Sequence, residues 1–394
     1  MTGAAAERIP ADIVARMRDV RQDVHRHPEL AFEEFRTAGL VADALAMFGL
    51  DVHRGIAGTG VVGVLSNGDG PSLALRADMD ALPVTEASDL SCRSEHPGRM
   101  HACGHDGHTA MLLGAAEHLA QTRNFAGSVV FVFQPAEENA GGAKAMIEDG
   151  LYARFPFQAI FGMHNFPGLP VGQFGSRSGA FLASFDKFSI ALTAGGGHSS
   201  APHEAPDLVH AGASLVHRLT DLPRTHCRAT SPTVLSVTQF HAGSDFNVIP
   251  DRCEIRGSFR SLDPGSRDIL AAAVHRAGRS VAALYGCECC ALAPHGVGYP
   301  VLVNAEAETG MALEAASKVA GRACVAGDIP PLLGSEDFAF FLLDKPGSFI
   351  GIGNGEGEYA AALHSPRYRF NDGILPQGAA YWVALAEAWL STHR

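Results

Sequence analysis

The stretch MHACGHDGHT, Met100–Thr109, sets His101, Cys103, His105, Asp106 and His108 among glycines and alanines. Three explanations compete: a divalent metal site, a cysteine nucleophile with a histidine base, or incidental clustering in a chain with 19 histidines among 394 residues. A thiolate, imidazoles and a carboxylate together suit a borderline ion such as zinc, with manganese or cobalt where carboxylates contribute. A thiol paired with a histidine base would instead attack a carbonyl and form a covalent intermediate.

The elements that must position these residues separate the explanations. Apolar spacing predicts a helix in EEFRTAGLVADALAMFGL, short buried strands in GVVGVLS and PSLALRAD, and a helix in HTAMLLGAAEHLAQ. A strand in GSVVFVFQPAEE, a helix in GGAKAMIEDG and a strand in AIFGMH follow. Such alternation implies a mostly parallel sheet with helices on both faces, and ligands bind beyond the carboxyl ends of its strands. The reactive residues fall there: Asp78 and Asp80 follow PSLALRA, Glu137 and Glu138 follow SVVFVFQPA, and His164 ends AIFGMH. Incidental histidines would be scattered instead.

From about Ser184 the order becomes strand FDKFSIALTA, loop GGGHSSAPH, helix DLVHAGASLVHRLT, strands PTVLSVTQFHAG and DRCEIRGSFRS, helix SRDILAAAVHRAGRSVAALYG and strand CECCALA. This is the split unit of ferredoxin-like α+β domains. We therefore expect residues 184–293 to form an inserted domain, with 1–183 and 294–394 forming one discontinuous α/β domain. NAEAETGMALEAASKVAG, GSEDFAFFLL, GSFIGIGNG and QGAAYWVALAEAWLST complete its alternation.

Length and a 46% hydrophobic content suit two globular domains. A net charge of −12 without a basic block argues against a nucleic-acid partner. The N-terminus has no signal-peptide pattern and no run is long and apolar enough to span a bilayer, so a cytoplasmic chain is expected. Eight cysteines in such a chain are expected to be reduced. CECC lacks a second pair at zinc-finger spacing and reads as strand filler.

Cys103, His105, one of Glu137 and Glu138, and His164 would make a full tetrahedral set. If His364, in the loop AALHSPRYRF, joins them, one ion cannot take every donor and a water, whereas two ions sharing a water can. Paired ions activate the shared water and polarise a carbonyl, so an amide can be hydrolysed without a covalent intermediate. The spare glutamate would shuttle the proton.

RADMDALP, MHACGHDGHTA, FQPAEE, GMHN, GGGHSSAPH, NVIP, SEDF and HSPRYRFND, in this order, resemble the metal-dependent amidohydrolases that include hippurate hydrolase and the plant indole-acetyl-amino-acid hydrolases, relatives of aminoacylase and glutamate carboxypeptidase. The resemblance runs from about Arg26 to the last helix. It implies a zinc-exopeptidase-like catalytic domain with a ferredoxin-like lid. Two divalent ions, zinc or manganese with cobalt or nickel as further options, would sit on Cys103, His105, Glu138, His164 and His364. Glu137 would be the general base. His198 would meet the carbonyl oxygen, often in the neighbouring subunit's site, and Asn247 and Arg260 would hold the substrate carboxylate. The substrate would be a small N-acyl or N-aroyl amino acid, and the lid would join a homodimer or homotetramer. Two departures, Asn139 after the glutamates and the serines of GGGHSS, bear on substrate choice rather than on the donors.

Plainer readings accompany these. Cys103 alone would be a small buried hydrophobe. His101 and His108 are expected to be structural or to back the ligands, and His25 and His27 to be structural. Asp78 is expected to orient a ligand imidazole. GGGHSSAPH lacks the lysine and hydroxyl ending of a phosphate loop. Arg260 on a strand could merely solubilise. A dipeptidase with the same centre, a Cys103 nucleophile and a catalytically silent metal binder remain as alternatives.

Overall fold

The computed structural model describes residues 9–227 and 231–393. The chain divides into two compact units. One runs to Gly179 and resumes over Val303–Pro330 and from Asp337; the other comprises Ala180–Leu302 and Pro331–Glu336.

The first unit is built on an eight-stranded sheet. Its leading elements are helices α1 (Ala11–Arg26) and α2 (Phe35–Met47), strands β1 (Asp51–Ile56), β2 (Gly60–Asn67) and β3 (Ser72–Asp78), helix α3 (His105–Thr122), and strands β4 (Gly127–Gln134) and β5 (Ala159–Pro167). β1, β2 and β4 are antiparallel neighbours at one edge. The centre is parallel, with β4, β3, β5 and the strand Gly347–Gly355 side by side. Central strands are apolar on both faces, as LALRA, SVVFVFQ and SFIGIG predict, because helices cover both sides of a parallel sheet. Their side chains share one core with Met17 of α1, Met111 and Leu112 of α3, and Trp382 and Trp389 of the last helix, Leu375–Thr392. The expected fold class is what the chain adopts.

Two details differ from the periodicity. α3 begins at His105, three residues before His108, because Gly104 takes φ +91° and turns the chain directly into the helix. After β4 the chain breaks at Ala136, with φ +56°, and makes a single helical turn, Glu137–Ala140, before the helix Gly142–Glu148. The paired glutamates thus start a turn instead of extending a strand.

The second unit holds a four-stranded antiparallel sheet in the order Thr233–Ala242, Arg252–Ser261, Asp186–Thr193, Glu288–Leu292. Alternation along Asp186–Thr193 sends Phe188, Ile190 and Leu192 into a core with Leu215 and Leu219 of helix Leu208–His226 and Leu270 and Val274 of helix Pro264–Tyr285. Both helices start on an aspartate cap: Asp207 accepts from the His210 N–H and Asp263 from the Ser266 N–H. The strand-helix-strand-strand-helix-strand order is the ferredoxin-like one.

Candidate active site

The carboxyl ends of β3, β4 and β5, with the start of α3, carry the reactive side chains of the first unit. Gly104 permits the approach of the MHACGHD loop to β5: a Cβ there would lie 2.2 Å from Asn165 Nδ2 and 2.5 Å from Tyr368 Oη. Cys103 Sγ thereby reaches 3.3 Å from His164 Nε2. His164 donates through Nδ1 to the Asn165 carbonyl at 2.7 Å, which leaves the Nε2 lone pair facing the thiol. His105 turns Nδ1 to Asp80 at 3.2 Å, and its buried Nε2 has no hydrogen-bond partner. Such a free Nε2, with the other nitrogen anchored by a carboxylate, is how ligating histidines are held.

His364 arrives from the other end of the chain. Its φ of +66° is unusual for a residue with a Cβ, and its N–H donates to the Ala102 carbonyl at 2.8 Å, beside Cys103. Its Nε2 stands 3.1 Å from Glu138 Oε1, an oxygen that accepts no hydrogen bond. Left-handed residues cost on the order of 1 kcal/mol or more each. Here Ala136 and His364 occupy that region directly beside donor residues.

The donors form overlapping groups whose ligand atoms lie within 4.8 Å of one another: Cys103, His105 and His164; Cys103, Glu138 and His364; and His105, Glu137 and Glu138. All five expected ligands and the expected base are therefore drawn together. Their electrostatics suit a cation. Burial, then Glu138, Glu137 and Asp78, hold the Cys103 thiol well above its usual range. Burial and the neighbouring His108 hold His164 well below its own, so it is the neutral imidazole that metals bind. Burial opposes charge on His105, but Asp78 and Asp80 outweigh it and raise the ring to about 10. A divalent ion would supply the positive charge these carboxylates attract and would deprotonate the thiol. The residues fit the metal that the sequence implied.

Asp78 corrects one expectation. Its Oδ1 accepts from His108 Nδ1 at 2.6 Å, and its Oδ2 lies 3.8 Å from His105 Nε2, so the carboxylate hydrogen-bonded to the His105 ring is Asp80. Asp80 also accepts the Glu138 N–H at 2.9 Å, fixing two donors at once. His108 has both ring nitrogens engaged, Nδ1 with Asp78 and Nε2 accepting the Asn165 N–H at 3.0 Å, although with Asp78 and His105 it also makes a further close group of potential donors. His101 is buried and pushed down to about 4, chiefly by burial, and takes part in none of the donor groups. Glu34, unremarked in the sequence, accepts the Ala136 N–H at 2.9 Å and the Thr59 hydroxyl at 2.5 Å. It thus braces the left-handed residue before the glutamates, and burial raises it to about 7. The side chain of Asn139 lies outside the described residues.

In the second unit, His198 and Asn247 come together: Gly197–His198 pairs with Val248–Ile249, and the Asn247 carbonyl accepts the Ser199 N–H at 3.0 Å. His198 is exposed, and its Nδ1 accepts from Ser200 N and lies 2.8 Å from Ser200 Oγ. Arg260 is not beside Asn247. Asn247 precedes the Arg252 end of the strand Arg252–Ser261, and Arg260 is at its far end, about 30 Å away at ~3.4 Å per residue. The Arg260 guanidinium lies 4.3 Å from the Phe185 ring centroid, and its Nη1 donates to the Leu333 carbonyl at 2.8 Å.

A profile of peptidase family M20/M25/M40 matches residues 74–388, most of the chain and every donor. The chain belongs to peptidase family M20/M25/M40. Among M20 relatives it is 39% identical over 380 residues to a hippurate hydrolase of Campylobacter jejuni, covering 96% of this chain and 98% of that one. It is 37% identical over 383 residues to an IAA-amino acid hydrolase of Arabidopsis thaliana, covering 94% and 84%. A dinuclear metal-binding M20 peptidase of Bacillus subtilis superposes with a TM-score of 0.83 at 32% identity, covering 97% of this chain and all of that one. This M20 chain is a metal-dependent amidohydrolase. No described helix is long and apolar enough to cross a membrane.

Proposed function

We propose that this chain uses two divalent ions on Cys103, His105, Glu138, His164 and His364 to hydrolyse the amide of N-acyl or N-aroyl amino acids, releasing a carboxylic acid and the amino acid. The observation that carries this reading is the pair of three-donor groups that share Cys103, with Glu137 against their edge. Zinc or manganese suits this mixed thiolate, imidazole and carboxylate set, with cobalt or nickel as substitutes. When bound, the ions would lower the pKa of a water and polarise the amide carbonyl.

Glu137 would accept the proton of the attacking water on its carboxylate and pass it to the leaving nitrogen. It is buried, and its Oε1 faces the Asp337 N–H at 3.4 Å, which limits its swing. His198 stabilises charge developing on the carbonyl oxygen, and Arg260 reads the substrate carboxylate, a planar match for a guanidinium. Asn247 and His198, which lie together in the second unit, would serve the site of a second copy. The second unit would then be both lid and dimer contact. The eight unpaired cysteines support a reducing, cytoplasmic setting. A thiol-nucleophile reading fares poorly, since burial and three carboxylates suppress the Cys103 thiolate.

Hydrolysis of a panel of N-benzoyl, N-acetyl and indole-acetyl amino acids, with their carboxamides as controls, tests the reading. Free-acid substrates should be cleaved and the carboxamides should be poor. Equal rates on both would remove the carboxylate-reading lid, and no cleavage of any member would remove the substrate class.

A further inference from the structure

Arg76 sits on β3 two residues before Asp78 and is wholly buried. A guanidinium keeps its charge under any ordinary condition, so in such a place it must be matched by acceptors around its whole edge. It is. Nε donates to Gln134 Oε1 at 2.8 Å, Nη1 to Asp78 Oδ2 at 2.6 Å and Nη2 to Asp337 Oδ1 at 3.1 Å, while Phe338 lies 5.8 Å from its centre.

Both carboxylates lead onward to the reacting region. Asp78 accepts from His108 Nδ1, and His108 Nε2 accepts the Asn165 N–H. Asn165 then donates through Nδ2 to the Cys103 carbonyl at 2.6 Å and accepts the Tyr368 hydroxyl at 2.7 Å. This arm ends on the Cys103 backbone and on the residue after His164. The other arm runs through Asp337, which accepts from Gln134 Nε2 at 2.8 Å and from the Ala143 N–H at 2.9 Å. It thereby pins β4 and the helix Gly142–Glu148 on either side of the glutamate turn, and the Asp337 N–H faces Glu137 Oε1.

We infer that Arg76 is the positioning residue of the centre, one buried guanidinium that fixes the Cys103–His164 donors through Asp78 and the Glu137 turn through Asp337. The inference rests on the proposed metal site. A merely structural cation would have its bonds end in the core, whereas both arms of Arg76 end on the donors and the base. Lysine preserves the charge but cannot present three directed donors in a plane.

The test uses the full chain, stripped of metal and then titrated with Mn²⁺ or Zn²⁺ against a chromophoric chelator, with Arg76→Lys and Asp337→Asn beside the wild type. Circular dichroism of the stripped chains reports folding. Arg76→Lys should keep the wild-type spectrum, bind the ion about 10- to 100-fold more weakly, the usual cost of losing a residue behind the ligands, and lower kcat with KM little changed. Asp337→Asn loosens only the glutamate arm, so it should lower kcat about 10-fold with metal affinity close to wild type. If Arg76→Lys does not fold, Asp337→Asn decides alone: a lowered kcat at held KM supports the inference, and wild-type kcat overturns it. A folded Arg76→Lys with wild-type affinity and kcat, merely melting earlier, makes Arg76 structural and overturns it too. A wild-type chain that takes up no ion removes the metal site itself and this inference with it.

Discussion

Glu137 is 6% exposed and faces a backbone N–H from Asp337, whereas Glu138 has its own N–H held by Asp80 and an oxygen 3.1 Å from His364 Nε2. Adjacent in sequence, they differ in what surrounds the carboxylate. Glu137→Gln keeps size and polarity but cannot accept a proton, so turnover should fall at least ~10²-fold while metal content, read by elemental analysis, stays constant. Glu138→Gln should instead weaken metal uptake. If the two phenotypes were exchanged, base and ligand would be reversed. Order and residue type in FQPAEE made the pair visible, but not the brace behind it. Glu34 lies far from Ala136 along the chain and carries no spacing signal, so only folding discloses that it accepts the Ala136 N–H.

At the scale of elements, α1 is tied to α3 by charge as well as by its apolar face. His25, fully buried, holds Asp106 Oδ2 at 2.8 Å through Nδ1 and Glu86 Oε1 at 3.3 Å through Nε2, and Arg21 Nη1 lies 3.5 Å from the same Asp106 oxygen. Burial works against charge on His25, yet Asp106 and Glu86 outweigh it and Arg21 and raise the ring to about 9. A raised histidine stabilises the fold fully below its ordinary value near 6.5, and that contribution is lost as pH climbs through about 9. His25→Gln should therefore cost about 3 kcal/mol at pH 6, on the order of 4 °C in Tm for a chain of this length. By calorimetry of the metal-free chain, the gap to wild type should narrow by pH 9.5. A gap that is flat with pH would mean that His25 is neutral in the fold. The strands that carry the donors were legible because buried parallel strands are apolar runs ended by turn residues. The turn at Ala136 and the start of α3 at His105 were not, since positive φ at Ala136 and the contact of Gly104 with Asn165 are set by tertiary packing.

For the whole molecule, the order of motifs marked an inserted unit, but not that Pro331–Glu336 returns to it. Asn247 and Arg260 are kept apart by the length of one extended strand, Arg252–Ser261, a separation that DRCEIRGSFRS already implied. Arg260→Lys should raise KM strongly for free-acid substrates and leave the slow carboxamides unchanged, whereas His198→Ala should chiefly lower turnover, by about 10²-fold. Steady-state kinetics on matched acid and amide substrates separates the two effects. Equal damage to acid and amide by Arg260→Lys would make the arginine, stacked on Phe185, a support of its own unit. The central claim, hydrolysis at a paired-ion centre, is tested most directly by titrating the stripped chain with Mn²⁺ or Zn²⁺ while following bound ion per chain and cleavage of N-benzoylglycine together. The expected result is no cleavage by the stripped chain, and cleavage that appears as occupancy rises to about two ions per chain. Full cleavage without metal, or saturation and full activity at a single ion, would contradict it.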